Sequence, residues 1–390
     1  MRQQDSDNQR SPGPRGAGRH VELIDGTSAF VPDPLPPDLE LRPLMSPLAD
    51  AERVLGGLES IAGFIPDPGL FLTPLLRVEA TLSSRIEGTQ TTVEELFRAE
   101  MTPNAQTGDD AIEVRNYVDA MYLGMELLER RPLDLSFVRQ LHARLMAGAR
   151  GQDRGPGEFR QVQVFVGRRG RVGTAVSYVP PPHERVPELM ADWAAYAARG
   201  DGLPHLIRCG LLHAQFELIH PFRDGNGRVG RLLMSLYLMA HGRPSQPLVL
   251  LSPYFEERRP EYYAHLRALS RTGDWGSWLV FFLEAVEEQS ARATTVAQQI
   301  VALRQEQMRN LQAVRAPQSA FAVLELLFRS PYITIDRAAR QAGCAYATAK
   351  RAMQCLEREG IVTEVTGRRR NKQYRAGPLL GLLEDMYPSA

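Results

Sequence analysis

Residues 220–231 read HPFRDGNGRVGR and lead directly into the apolar run LLMSLYLMA. The first turn of a helix leaves N–H groups unpaired and carries the positive end of the helix dipole. Glycines there let a ligand come against the backbone and tolerate positive φ. Gly225, Asn226 and Gly227 therefore read as an anion-binding turn suited to phosphate. Arg228 and Arg231 stand three apart and share a helix face above that turn, and guanidinium groups match phosphate oxygens bidentately. Asp224 could hold Mg²⁺ on the same phosphates, and His220 could act as a general base near neutral pH. Taken singly, DGNG is an ordinary surface turn and each histidine or arginine an ordinary packed or solvated residue. Their conjunction just before a buried helix points to phosphate chemistry.

Composition removes several other chemistries. The chain of 390 residues is long enough for two or three domains, with 43% hydrophobic and 24% charged residues. Lysines and arginines balance aspartates and glutamates at 46 each, so no overall field steers the molecule to nucleic acid or membrane. Only two lysines occur, Lys350 and Lys372, which leaves none for a P-loop or for Schiff-base chemistry in the first 349 residues. There is no HExxH and no GxSxG. Cys209, Cys344 and Cys355 form no CxxC pair and are expected to be reduced thiols in a cytoplasmic protein. The apolar runs near 232–240 and 278–283 fall short of the ~20 residues of a membrane span. His213 lies seven residues before His220 but finds no third ligand at metal spacing, and is expected in the core.

The elements that must hold this motif are mostly helical. MRQQDSDNQRSPGPRGAGRH reads as a disordered tail, and VPDPLPPDLELRP as an extended wrap. DPGLFLTPLLRVEATLSSRIEG carries helical spacing and stops at Gly88, as helices often do at glycine. Helices are also predicted over DDAIEVRNYVDAMYLGMELLE, SFVRQLHARLMAG, VPELMADWAAYAA, LIRCGLLHAQFELIH, PEYYAHLRALS and the long stretch from Trp275. GPGEFRQVQVFVGRRGRVGTAVSYVPPP alternates and reads as a β-hairpin. Residues 318–377 have another grammar: three helices, two of them closed by Gly343 and Gly360, then a two-armed ribbon. That is the order of a winged helix-turn-helix. The segment holds 11 lysines and arginines against 5 acids, net +6, so the remainder of the chain is net −6. Its wing carries Arg368, Arg369, Arg370, Lys372 and Arg375, and its helix Ala347–Glu357 could enter a major groove. A protein-contact module with a solvated basic wing is the alternative.

The twelve-residue motif resembles the signature of the Fic (filamentation induced by cAMP) family, HxFx(D/E)GNGRxxR. His220, Phe222, Asp224, Gly225, Asn226, Gly227, Arg228 and Arg231 fill every defined position. The resemblance runs from about residue 30 to residue 290. It implies a mainly α protein with a Fic-type helical core and a β-hairpin flap, to which this chain adds the C-terminal winged helix. It implies transfer of AMP from ATP, with Mg²⁺, to a Tyr, Thr or Ser hydroxyl of a target protein or of the chain itself. On that resemblance His220 is the base and Asp224 holds the metal. Gly225, Asn226, Gly227, Arg228, Val229, Gly230 and Arg231 contact the nucleotide, with Arg231 nearest the γ-phosphate. Tyr263 matches a tyrosine near the adenine in relatives, and would otherwise be a core residue. The hairpin 164–179 would be the flap on which an extended target segment docks by edge addition.

A second stretch, Ser83-Ser84-Arg85-Ile86-Glu87-Gly88, resembles the family's inhibitory motif (S/T)xxxE(G/N), which Ser83, Glu87 and Gly88 match. It implies that Glu87 pairs with Arg231, takes the γ-phosphate position and misaligns ATP in cis. The same site removes AMP in some relatives, and the sequence leaves the direction open. Doc-like kinases resemble the family but carry lysine where Gly227 stands. The expected organisation is a tail over 1–20, an N-terminal region with the inhibitory helix over 21–109, and the catalytic core over 110–290. A helical linker over 291–317, the winged helix over 318–377 and a tail over 378–390 follow. DNA at the winged helix, in a DNA-binding regulator, and a homodimer are left open.

Overall fold

The structure, a computed structural model, describes residues 17–64, 69–101, 108–148, 152–167, 178–242, 246–368 and 371–387. The segments RHVE and SAFV, separated by the turn at Asp25-Gly26, form an antiparallel hairpin of β1 (Gly18–Glu22) and β2 (Ser28–Pro32), with Gly26 at φ 77° in its turn. Helices follow: α1 (Met45–Phe64), α2 (Gly69–Ile86), α3 (Val93–Met101), α4 (Asp109–Leu128), α5 (Leu135–Leu145) and α6 (Val186–Ala198). Then come α7 (His205–Ile219), α8 (Asn226–Ala240), α9 (Ser252–Glu257), α10 (Arg259–Thr272) and α11 (Trp275–Ala313).

Local chemistry sets many of the helix ends. Asp134 caps α5 by accepting the Phe137 N–H at 2.8 Å, and Asp274 caps α11 by accepting that of Ser277 at 3.0 Å. Thr92 and Glu95 exchange side-chain and backbone bonds of 3.2 and 2.9 Å at the start of α3, a capping box. The centre of the fold is the α7–α8 pair. In α8 every residue from Asn226 to Leu238 is buried, so its polar first turn is enclosed along with its apolar body. α4 and α5 pack on α8, α1 lies along α11, and α2 contacts α4, α8 and α9. The extended segment after β2 is held by side chains reaching to it. Gln215 donates to Asp33 O at 2.9 Å and Arg199 to Leu35 O at 2.7 Å.

The C-terminal part comprises α12 (Gln318–Arg329), β3 (Tyr332–Thr334), α13 (Ile335–Gln341), α14 (Tyr346–Arg358), β4 (Thr363–Glu364), β5 (Gln373–Arg375) and α15 (Gly377–Met386). The strands form an antiparallel sheet in the order β3-β5-β4. Gly343 and Gly360 close their helices at φ 62° and 68°. α12 packs on α2, and β3 packs on α3, where Tyr332 donates its hydroxyl to Glu94 at 2.5 Å.

Two expected tails contain elements. The last residues of the tail expected over 1–20 belong instead to a hairpin, because RHVELIDGTSAFVP pairs about its own turn and Ala17 is buried. The helical linker expected over 291–317 is helical, continuous with the stretch from Trp275 in α11, and its Ala293, Val296, Ala297, Ile300 and Leu311 are all buried. The C-terminal tail expected over 378–390 contains α15, because Leu379, Leu380 and Leu383 form an apolar stripe that buries against α11. The tip of the 164–179 hairpin lies outside the described residues. Its described ends meet as an antiparallel bridge between Val166 and Tyr178. Among the described residues no helix is long and apolar enough to cross a membrane.

Candidate active site

α7 stops at Ile219, and His220 caps it in the left-handed region at φ 50°, ψ 61°. A side chain other than glycine resists that conformation, and all the more before a proline. Buried neighbours hold it there. Arg160, 2% exposed, donates from Nε to His220 O at 2.9 Å and from Nη2 to Pro181 O at 2.6 Å, and its own N–H reaches Pro221 O at 2.8 Å. It thus joins the base of the hairpin to the histidine. Asn226 closes the loop on itself, accepting the Phe222 N–H at 2.8 Å and donating to Phe222 O at 2.9 Å. Phe222 is fully buried and stacks on His142 with ring centroids 3.7 Å apart. His142 Nδ1 accepts the Gly157 N–H at 2.8 Å, so its proton sits on Nε2 and is donated to Asp224 O at 3.0 Å.

Burial pushes the His220 imidazolium down to about 4, helped by the Arg160 charge and opposed by Glu87. The ring is therefore neutral at pH 7, with a lone pair able to take a proton. Gly225 precedes α8 at φ 75° and offers no side-chain cap, which leaves the helix N-terminus open to an anion. Asp224 Oδ1 accepts the Gly225 N–H at 2.6 Å, and its side chain is 46% exposed.

The two motif arginines take different partners. Arg231, 1% exposed, donates from Nε to Ser83 Oγ at 2.8 Å, and from Nη2 to Ser83 O at 2.9 Å and Glu87 Oε1 at 2.7 Å. Burial works to raise the Glu87 carboxyl, but the charge and hydrogen bond of Arg231 outweigh it and hold the group below its ordinary value. A Cβ placed on Gly227 would lie 2.1 Å from that same Oε1, so the Glu87 carboxylate rests on bare backbone in the first turn of α8. It occupies the position that the sequence assigns to phosphate. Gly88, at φ 102°, turns the chain away after it. Arg228 is instead committed to Glu113 of α4, with Nη1 to Oε2 at 2.8 Å, and Thr89 Oγ1 donates to the same oxygen at 3.3 Å.

Two further carboxylates shape the site. Glu79 is buried on α2, on the same helix face as Ser83 and Glu87. It accepts from Tyr117 Oη at 3.0 Å, Ser252 Oγ at 2.5 Å and the Ser252 N–H at 3.1 Å. Those bonds pin α2 to α4 and α9 and set the register in which Glu87 meets Arg231. Glu217 lies one turn before His220. Burial pushes its carboxyl up to about 8 against the pull of Arg231. His213 is buried and shares a 2.8 Å hydrogen bond between Nε2 and Tyr262 Oη.

A cavity of about 410 Å³ opens over this constellation, lined by Glu87, Glu217, His220, Tyr178, Tyr263 and Arg267 among others. Val229 and Gly230 are buried beneath it rather than lining it, and a Cβ on Gly230 would lie 2.6 Å from Glu217 Oε1. Tyr263 donates from Oη to Ile86 O at 3.4 Å, which ties the cavity wall to the end of α2. The structure thus brings His220, the glycine turn, Arg231, Ser83, Glu87 and Tyr263 together. Sequence reasoning missed Glu79, Glu113, His142, Arg160 and Glu217. For Glu79 and Glu113 the available signal was a carboxylate on the inward face of an amphipathic helix.

The chain is similar to known proteins. Residues 45–126 match the family described as Fic/DOC family N-terminal, and residues 132–238 match the Fic/DOC family. Protein adenylyltransferase Fic of Drosophila grimshawi is 28% identical over 209 residues, covering 52% of this chain and 40% of that protein. Protein adenylyltransferase fic-1 of Caenorhabditis briggsae is 31% identical over 157 residues, 39% of this chain and 27% of that protein. The chain thus spans two fifths or less of the length of these relatives. A Fic family protein from Desulfovibrio desulfuricans G20 aligns over 88% of this chain and 98% of its own, with TM-score 0.55 and 21% identity. A Fic domain containing signaling protein from Bacteroides thetaiotaomicron aligns over 64% and 96%, with TM-score 0.51 and 19% identity. The mainly helical fold is that of these Fic-family structures.

Proposed function

We propose that this chain transfers AMP from ATP to a Tyr, Thr or Ser hydroxyl, on a target protein or on itself, and that Glu87 holds the reaction off in cis. One observation carries the reading. A carboxylate from the end of α2 sits on the first turn of α8 and on Arg231, inside the cavity that also holds His220. The glycine turn and Arg231 form an anion site filled from within the chain.

The chemistry assigns each group a task. His220 accepts the proton of the incoming hydroxyl and becomes imidazolium. The hydroxyl oxygen bonds to the α-phosphorus while the bond from that phosphorus to the bridging oxygen breaks, and pyrophosphate leaves with the electron pair. The N-terminal N–H groups of α8 and the Arg231 guanidinium, once freed, neutralise phosphate charge as it shifts, the largest contribution in such transfers. One exposed carboxylate beside a phosphate-binding turn suits a metal shared with substrate oxygens better than a full protein cage. Asp224 would hold Mg²⁺, which when bound supplies positive charge to the phosphate oxygens. The target segment would dock along the hairpin 164–179, and Tyr263 would border the adenine.

Incubating Glu87→Gly protein with Mg²⁺ and ATP labelled at the α- or the γ-phosphate separates the chemistries. Label retained from the α position supports AMP transfer, label from γ means phosphate transfer, and label from neither contradicts both. The Glu87 side chain is 34% exposed and faces the same cavity as His220, which supports a second direction in which it orients a water for AMP removal. Release of AMP from modified protein by the wild-type chain and not by Glu87→Gly would favour that direction.

A further inference from the structure

The AMP-transfer reading leaves the C-terminal part of the chain unused. Its buried residues are mostly apolar and often small: Ala349, Ala352, Met353 and Leu356 turn α14 inward against α12 and α13. The outward residues differ sharply. Tyr346, Lys350, Arg351, Gln354 and Arg358 are all exposed, and among the described residues none of the three cations forms an ion pair. Glu357 is the one acid exposed on the helix. Lys350, Arg351, Gln354 and Arg358 recur at helical spacing and so form one stripe. Tyr346 is 52% exposed at the head of that stripe, and Val365, just past β4, is 38% exposed.

The module docks on the catalytic half through other surfaces. α12 meets α2, and Tyr332 of β3 bonds Glu94 while the Arg98 guanidinium lies 5.8 Å from its ring centroid. α14 is not needed for that docking. From these observations we infer that the outer face of α14, with the β4–β5 ribbon beside it, is an interface for duplex DNA.

Charge and shape select this partner. Residues 318–377 carry net +6 while the rest of the chain carries −6, so a polyanion is drawn to this segment and repelled elsewhere. An α-helix of about 10–12 Å diameter fits a major groove about 12 Å wide. Lys350, Arg351 and Arg358 suit phosphate oxygens or guanine edges, and Gln354 has the amide geometry that reads adenine. Lys372 on the ribbon extends the cationic surface toward the backbone. This interface is independent of the AMP-transfer reading and stands or falls separately.

The test is fluorescence anisotropy of a labelled random-sequence duplex with the full chain at 50 and 200 mM salt. About four phosphate contacts predict a loss of affinity on the order of 10²-fold between the two salts. Lys350→Glu with Arg351→Glu should weaken binding at least ~10-fold at 50 mM and reduce the salt slope by about 2, while Arg130→Glu, in the turn after α4, leaves both unchanged. Lys350→Gln with Arg351→Gln, a milder pair, should give the same direction with unchanged thermal stability. No binding at 50 mM salt would overturn the inference, as would binding insensitive to salt or equal weakening by Arg130→Glu. So would a change in solution mass of the double variant, which would mark the face as a protein contact.

Discussion

Two helices in this chain follow a glycine-closed turn and carry cations in or just after their first turn, and they have opposite fates. In α8, Arg228 and Arg231 are buried, and each is met by a carboxylate from a different helix, Glu113 of α4 and Glu87 at the end of α2. In α14, Lys350 and Arg351 stand in solvent. A cation taken out of water must be given an anion by the fold, because an unpaired buried charge is too costly to keep. When the natural anion is a substrate that comes and goes, the fold must supply a substitute. Glu87 supplies Arg231 with such an anion, and on the proposed reading the resting state of the site is also its inhibited state. An exposed cation needs no substitute and remains available to an external polyanion.

That contrast can be broken at several places, with effects that decrease in size. On the proposed reading Arg231→Ala in a Glu87→Gly background removes the charge that would meet phosphate and should lower AMP transfer on the order of 10³-fold, measured as α-label incorporation; Arg351→Ala in the same background should leave it unchanged. Arg228→Gln strands the buried Glu113 carboxylate and should destabilise the fold by ~3–5 kcal/mol in denaturant melts. Arg351→Gln, by contrast, should stay within ~0.5 kcal/mol of wild type. Ser83→Ala in the otherwise wild-type chain removes one of the bonds that hold Arg231 against α2. Transfer should rise by a few fold, well short of the rise from losing the Glu87 charge.

The smallest effect concerns acid. Burial holds His142 at about 4 and His213 at about 3 in the folded chain, against an unfolded value near 6.5. Below about pH 6.5 the unfolded chain takes up protons that the folded chain refuses, so the stability from these two rings is present above that pH and lost as pH falls toward 4. Thermal melts from pH 7 to pH 5 should therefore shift downward. His142→Gln should shrink the shift, whereas removing the α14 cations should not change it.

Much of this was legible in the chain. Helical spacing located the long helices, and the twelve-residue motif named His220, the glycine turn and both arginines because all of them are local in sequence. The stretch Ser83–Gly88, which meets Arg231, was legible for the same reason. What joins these pieces was not. Glu113 meets Arg228 across 115 residues, Arg160 meets His220 across 60, and His142 meets Asp224 across 82. No periodicity encodes such pairings. The motif gave its two arginines one shared task, and only the packing of α4 shows Arg228 tied to a carboxylate of its own. The missed ends have simpler causes. Asp25-Gly26 is a hairpin turn hidden behind a low-complexity start, and the leucine stripe of α15 is too short to stand out beside a basic ribbon.

The central claim is that Glu87 stands in for a phosphate on Arg231 and the first turn of α8. Its most direct test compares initial rates of α-label incorporation by wild-type and Glu87→Gly protein at saturating Mg²⁺ and ATP, with Glu87→Gly/His220→Ala as the blank. The account predicts at least a ~10-fold rise on losing the carboxylate and no signal above background without the imidazole. Equal rates in the wild-type and Glu87→Gly proteins, in an assay that detects transfer, would contradict it.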